Sequence, residues 1–177
     1  MLKLNNTEEN ILKAAEFLQR TQLINFIKES NKIEGINRQP TQEEIDEYIR
    51  FMELKSITIK DLAQFTRVYQ PNAQLRDKPG LNVRVGNHIP IPGGSLVKEY
   101  LDILLAKIDF QLEGNISQLE RRKIAYDTHI EYENLHPFTD GNGRTGRMIW
   151  MWIMRDAPLG FLHTFYYQTL AFGRFGK

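Results

Sequence analysis

His136-Pro137-Phe138-Thr139-Asp140-Gly141-Asn142-Gly143-Arg144-Thr145-Gly146-Arg147 sets the reading of this chain. Twelve consecutive residues carry a titratable imidazole, a carboxylate, three glycines, an amide and two guanidinium groups. A core segment would not hold so little apolar surface, and a plain solvated loop does not need so many different functional groups. Glycines let a turn expose successive backbone N–H groups, and the N-terminus of a following helix adds positive potential. The stretch therefore reads as a phosphate-binding turn with a histidine at its mouth.

Working outward, the 177 residues suit one domain with a substantial core. Apolar residues make up 41% and charged residues 25%, and the net charge is +1, so no general electrostatic argument points to nucleic acid or membrane. Cysteine is absent, which removes disulfides and thiolate metal sites. Residues Met1 to Asn10 are polar, without the apolar core of a secretory leader. The apolar run Met148–Met154 is bounded by Arg147 and Arg155, far short of the ~20 residues of a membrane span. It reads as a buried helix in a soluble, cytoplasmic protein.

Upstream, Thr7 opens a helical pattern through Ile11, Leu12, Ala15 and Leu18, continued by Leu23, Ile24, Phe26 and Ile27 after a break near Arg20-Thr21. Gly35 suits the left-handed residue that ends such a helix, and Pro40 follows. Thr41-Gln42-Glu43-Glu44 is a capping-box pattern that opens a helix through Ile45, Ile49 and Met52; Thr58-Ile59-Lys60-Asp61 opens another with Leu62, Phe65 and Val68 inward. Leu81, Val83 and Val85 then alternate with polar residues, Gly86-Asn87 supplies a turn, and His88–Ile91 can return. Pro90 and Pro92 cannot donate to a ladder, so a small hairpin with an exposed edge is expected. A helix follows from about Leu96 to Phe110. The capping box Ser117-Gln118-Leu119-Glu120 starts one more, which passes through Ile124, Tyr126, His129 and Ile130 to Leu135. Helices over Gly143–Asp156 and Phe161–Phe172 complete the pattern. The fold expected is mainly α with one β-hairpin.

Gly141 to Gly146 matches G-x-G-x-x-G, but the dinucleotide fold requires a buried strand before it, and a charged helical segment stands there. The kinase and Walker versions fail on context and on the missing Lys-Ser/Thr. The individual groups keep their chemistry. Asp140 can hold Mg²⁺, which takes one or two carboxylates together with phosphate oxygens. Arg144 and Arg147, three apart on one helix face, suit two phosphates. His136 can accept a proton from a hydroxyl nucleophile. His129 reads as a core residue, and His88 and His163 as surface or hairpin residues. Together these groups compose a phosphoryl-type or nucleotidyl-transfer site.

His136 to Arg147 resembles the signature of the Fic family, H-x-F-x-[D/E]-G-N-G-R-x-x-R, at every specified position. Val83-Arg84-Val85-Gly86 resembles the family's flap and Tyr166-Tyr167-Gln168-Thr169-Leu170 its downstream Tyr-Tyr segment. The resemblance implies a compact helical core over residues 41–177, with the flap at about 81–91 and an N-terminal helical region over residues 1–40. It further implies transfer of AMP from ATP to a Ser, Thr or Tyr hydroxyl of a protein. His136 would be the general base and Asp140 the Mg²⁺ ligand. Asn142 and the backbone of Thr139, Asp140, Gly141 and Gly143 would cradle phosphates, within a nucleotide-binding stretch that runs on through Thr145 and Gly146. Arg144 would serve the leaving group and Arg147 the γ-phosphate. Phe138 would anchor the loop, Tyr166 and Tyr167 would line the adenine pocket, and the flap would clamp the target by strand addition. A phosphorylating relative carries alanine and lysine where this chain has Gly141 and Gly143, which favours nucleotidyl transfer here.

Ser30-Asn31-Lys32-Ile33-Glu34-Gly35 resembles the family's inhibitory helix, [S/T]-x-x-x-E-[G/N]. On that likeness Ser30, Glu34 and Gly35 are regulatory, with Glu34 pairing bidentately with Arg147 and denying it to the γ-phosphate. Removal of AMP from a modified target, transfer of another nucleotide, and a silent nucleotide-binding or toxin-like module are the alternatives. Self-modification and homo-oligomer formation are compatible with the leading reading; a nucleic-acid or membrane partner is not expected.

Overall fold

The computed structural model describes residues 6–155. The chain divides into two compact units, residues 1–41 with 157–177, and residues 42–156. The expected helix over Phe161–Phe172, with Tyr166 and Tyr167, lies outside the described residues.

In the first unit a single helix, α1, spans Asn6–Ile33. The expected break at Arg20-Thr21 is absent, since neither residue removes a donor or clashes with the preceding turn as proline would. Leu23, Phe26, Ile27, Ser30 and Asn31 are buried at helical spacing. The helix ends as the glycine predicts. Gly35 has φ 79°, the Ile36 N–H donates to the Asn31 carbonyl and the Gly35 N–H to the Lys32 carbonyl, each at 3.0 Å. This is the Schellman arrangement. It fixes Glu34, an exposed residue, at the C-cap of α1.

The second unit holds α2 (Gln42–Met52), α3 (Ile59–Tyr69), α4 (Ser95–Gln111), α5 (Gln118–Leu135) and α6 (Asn142–Ile153). Both capping boxes at Thr58/Asp61 and Ser117/Glu120 form with reciprocal hydrogen bonds. On α2, Tyr48 and Phe51 are fully buried and Ile49 points outward. Tyr48 and Phe51 pack edge-on against Phe65 of α3, with ring centroids 5.0 and 5.5 Å apart. Leu62 and Phe65 are inward as expected. On α5 the inward residues are Ala125, Thr128, His129 and Tyr132, with Tyr126 and Ile130 exposed. Small Ala125 and Thr128 are selected there because α6 and α4 both pack on this helix.

Helix α6 is the centre of this unit. It contacts α2, α3 and α5, and every residue from Arg144 to Ile153 is buried. An apolar helix enclosed on several sides needs no polar face. Trp152 still donates its Nε1–H to the Leu54 carbonyl at 3.0 Å. Close approach of α5 is set by Gly146, where a Cβ would lie 2.7 Å from Glu133 Oε1 and 3.1 Å from His129 Nδ1.

The expected β-hairpin is not a sheet. Among the described residues the flap has one isolated bridge, Val85 with His88, each N–H donating to the other's carbonyl at 3.0 Å. Gly86 takes φ 59° at the first turn position, as a tight two-residue turn requires. The ladder stops there for two reasons. Pro90 and Pro92 have no N–H, and the Leu81 and Ile91 carbonyls are taken by the Arg76 guanidinium, at 3.3 and 2.9 Å. No described helix is long and apolar enough to cross a membrane.

Candidate active site

The end of α5 delivers His136. It caps that helix at φ 48°, ψ 61°, the single positive φ of a non-glycine among the described residues, while its N–H still donates to the Tyr132 carbonyl at 2.9 Å. A left-handed non-glycine costs roughly 1–3 kcal/mol and persists only where its surroundings enforce it. Here they do. The Arg76 Nε–H donates to the His136 carbonyl at 2.7 Å, and Nη2 donates to the Leu135 carbonyl at 2.8 Å. Residues 137–139 pair with 74–76 in a short antiparallel contact: Arg76 N–H to the Pro137 carbonyl at 2.8 Å and Thr139 N–H to the Gln74 carbonyl at 2.9 Å. The Thr139 hydroxyl accepts from the Gln74 N–H at 3.0 Å.

The imidazole of His136 is half-buried, and burial is the main force pushing its pKa below the usual histidine value. The Arg76 and His88 charges act in the same direction; the Glu133 main chain and Asp140 oppose them. Nδ1 is buried and has no hydrogen-bond partner among the described residues. A neutral ring is what a general base needs before it acts.

The turn beyond is braced from inside. Asn142 is 1% exposed; its Oδ1 accepts from the Phe138 N–H at 2.9 Å and its Nδ2 donates to the Phe138 carbonyl at 2.8 Å. The Asn142 side chain is therefore spent on the loop itself, and its share in an anion cradle comes through its backbone. Phe138 is buried, as the anchor role requires. Asn142→Ala leaves both main-chain groups of Phe138 buried and unsatisfied, and is expected to cost about 2–4 kcal/mol by urea denaturation.

Gly141 begins α6 at φ 78°, and a Cβ there would meet Thr66 Cγ2 at 2.8 Å. Dihedral and space both demand glycine. Gly141→Ala is expected to lower stability by about 2–4 kcal/mol, the sum of left-handed strain and overpacking, in the same measurement. The N–H groups of the first turn of α6 have no acceptor within the helix, a geometry that suits an anion. The Asp140 carboxylate stands at its rim, exposed, with Oδ1 accepting from the Gly141 N–H at 2.6 Å and no hydrogen-bond partner for Oδ2 among the described residues. One exposed carboxylate with a spare oxygen suits Mg²⁺ shared with phosphate oxygens. Among the described residues there is no cluster of three or more His, Asp or Glu that would form an all-protein metal cage.

Both arginines are buried, each 3% exposed. The Arg144 guanidinium lies over the Tyr69 ring, 4.3 Å from its centroid, and Arg147 is close enough to help depress the pKa of His129. That buried histidine is pushed down to about 4, chiefly by burial, so it stays neutral in the core as expected of a packing residue. Thr145, fully buried, donates its hydroxyl to the Gly141 carbonyl at 3.0 Å and meets the Thr66 hydroxyl at 2.9 Å, tying α6 to α3.

His136, Asp140, the glycine turn and the two arginines thus gather around the junction of α5 and α6. The family's sequence profile, described as Fic/DOC family, matches residues 49–154, more than half of the chain. The chain belongs to the Fic/DOC family. Members of this family transfer nucleotide-derived groups to proteins, and AMP-transferring enzymes are among them. A comparison with curated proteins finds no match. Within the Fic core two contributors escape the sequence reading. Arg76 looks in the sequence like any surface arginine, and Tyr69 like any helix-end aromatic. A groove of about 1120 Å³ along α2 and α3, with Glu47, Arg50, Gln64 and Arg67 in its lining, reaches the motif only at Phe138 and does not include His136. Among the described residues, Val83, Arg84, Val85 and Gly86 make no hydrogen bond to the motif; the flap meets the end of α5 just before it through His88, whose Nε2 bonds to the Asn134 carbonyl at 2.9 Å.

Proposed function

We propose that this Fic protein is an adenylyltransferase that moves AMP from ATP onto a Ser, Thr or Tyr hydroxyl of a target protein. His136 carries the reading. Its pKa is depressed by burial, its backbone is held in a left-handed conformation, and it stands on the turn that leads into the N-terminus of α6. In the reaction the target hydroxyl forms a bond to the α-phosphorus as His136 takes its proton. The bond from the α-phosphorus to the bridging oxygen breaks, and pyrophosphate leaves. Asp140 would hold Mg²⁺, which neutralises phosphate charge. The first-turn N–H groups of α6 meet the phosphates, and Arg144 and Arg147 meet the leaving group and the γ-phosphate.

The flap serves as the target's docking edge. Among the described residues its legs carry no ladder beyond the single bridge, and Val85 and Ile89 are 43% and 69% exposed, a small apolar surface. Gly141 supports nucleotidyl transfer over phosphorylation, because the alanine carried by the phosphorylating relative would strike Thr66 here. Incubation with ATP labelled at the α- or the γ-phosphate tests the assignment. Label on protein from the α-position alone is expected; transfer of γ-label refutes it.

The same reading makes Glu34 an inhibitor of the reaction by pairing with Arg147. Its support is the S-x-x-x-E-G likeness together with the Schellman end of α1, which fixes the Glu34 backbone.

A further inference from the structure

Arg76 is completely buried, yet no carboxylate faces it among the described residues. A buried cation of this kind is stable only when its donors are met, and a guanidinium has five in a rigid plane. Four hydrogen bonds are made, all to main-chain carbonyls. Two belong to the turn that presents the base, Leu135 and His136, at 2.8 and 2.7 Å. The other two belong to opposite legs of the flap, Leu81 and Ile91, at 3.3 and 2.9 Å. The Arg76 main chain extends the same bridge, donating to the Pro137 carbonyl and accepting from the N–H of Gly94, the N-cap of α4, at 2.9 Å. A residue that only stabilised a loop would satisfy carbonyls of that loop. This one divides its donors evenly between two functional pieces.

We propose that Arg76 is a positioning residue for the transfer reaction: one buried guanidinium straps both legs of the flap to the turn carrying His136, so that target clamp and base are held in register. The activity arm of the test rests on the transferase reading above; the other two arms do not. Lysine cannot replace it, since an ammonium concentrates three donors at one point and cannot span four carbonyls on two sides. Its charge has a second effect. The groups that face His136 are Arg76, His88 on the flap, Asp140 in its own loop and Glu133 on α5; Arg76 helps to hold the ring neutral.

Arg76→Lys keeps the charge and loses the strap, whereas Arg76→Met loses both. Amide exchange at Val85 and His88, the bridged pair of the flap, is expected to quicken about tenfold or more in Arg76→Lys, with α3 and α6 amides unchanged. The His136 ring, followed by proton NMR with His136→Ala to assign it, should titrate at the wild-type midpoint in Arg76→Lys and at a higher pH in Arg76→Met. AMP transfer should fall in kcat with KM for ATP retained. Unchanged flap exchange in Arg76→Lys overturns the strap, as does an equal acceleration in α6, which marks general loosening. An unmoved His136 midpoint in a folded Arg76→Met overturns the electrostatic part. If the methionine variant does not fold, the lysine exchange result decides the strap. AMP transfer is read in a Glu34→Gly background, and absence of transfer there defeats the transferase reading and leaves the exchange and titration arms standing.

Discussion

His136→Ala is expected to lower AMP transfer by about 10²–10⁴-fold, the range contributed by a positioned general base, while Mg·ATP binding and thermal stability stay close to wild type. The measurement is single-turnover transfer from α-labelled ATP in a Glu34→Gly background, so that inhibition does not hide the loss. Stability should hold because the ring is half-buried and makes no well-directed side-chain hydrogen bond, and the left-handed backbone of residue 136 is held by Arg76 rather than by the imidazole. The pH profile supplies an independent check. The pKa of His136 is depressed, so the base is already unprotonated at neutral pH. The rate should therefore be flat near pH 7 and fall with acid only below the ordinary histidine range. A limb centred above that range, or label transfer that survives the alanine, removes His136 from the role of base.

Glu34→Gly is expected to raise automodification on the order of a hundredfold, the scale set by restoring near-attack geometry to a misplaced substrate. Because Glu34 is the C-cap of α1, Glu34→Gln is the needed companion: it preserves side-chain shape at the helix end and weakens the bidentate ion pair. Activation by both variants identifies the carboxylate as the lock. Activation by glycine alone would point to the helix end, and activation by neither, in protein that binds Mg·ATP, defeats the inhibitory reading.

The helices were legible because their signals are local. The two capping boxes and Gly35 announce their helix ends through hydrogen bonds that span five residues or fewer. The twelve-residue motif was legible for the same reason, since turn, anion site and base are contiguous. Inward faces were less legible. On α5 the apolar residues Tyr126 and Ile130 lie outside while small Ala125 and Thr128 are buried, a choice that depends on α4 and α6 packing on this helix and not on its own pattern. The flap misled in another way: alternation in Leu81, Val83 and Val85 is a strand signal only where a partner strand supplies acceptors, and here the partner is a side chain. Arg76 and Tyr69 could not have been found, because their importance lies in contacts with Arg144, Leu135, His136 and Ile91, far from them in sequence.

The one-bridge flap bears on where substitutions can be made. Its tip residues, Val83 to Ile89, carry few cross-links beyond the Val85–His88 pair and the tie from His88 to Asn134, while its feet at Leu81 and Ile91 are gripped by a residue outside it. Such a segment behaves as an exchangeable cassette. Substitutions at the tip are expected to leave the turn from His136 to Gly141 in place, because that turn is held by Arg76 and Asn142 rather than by the tip.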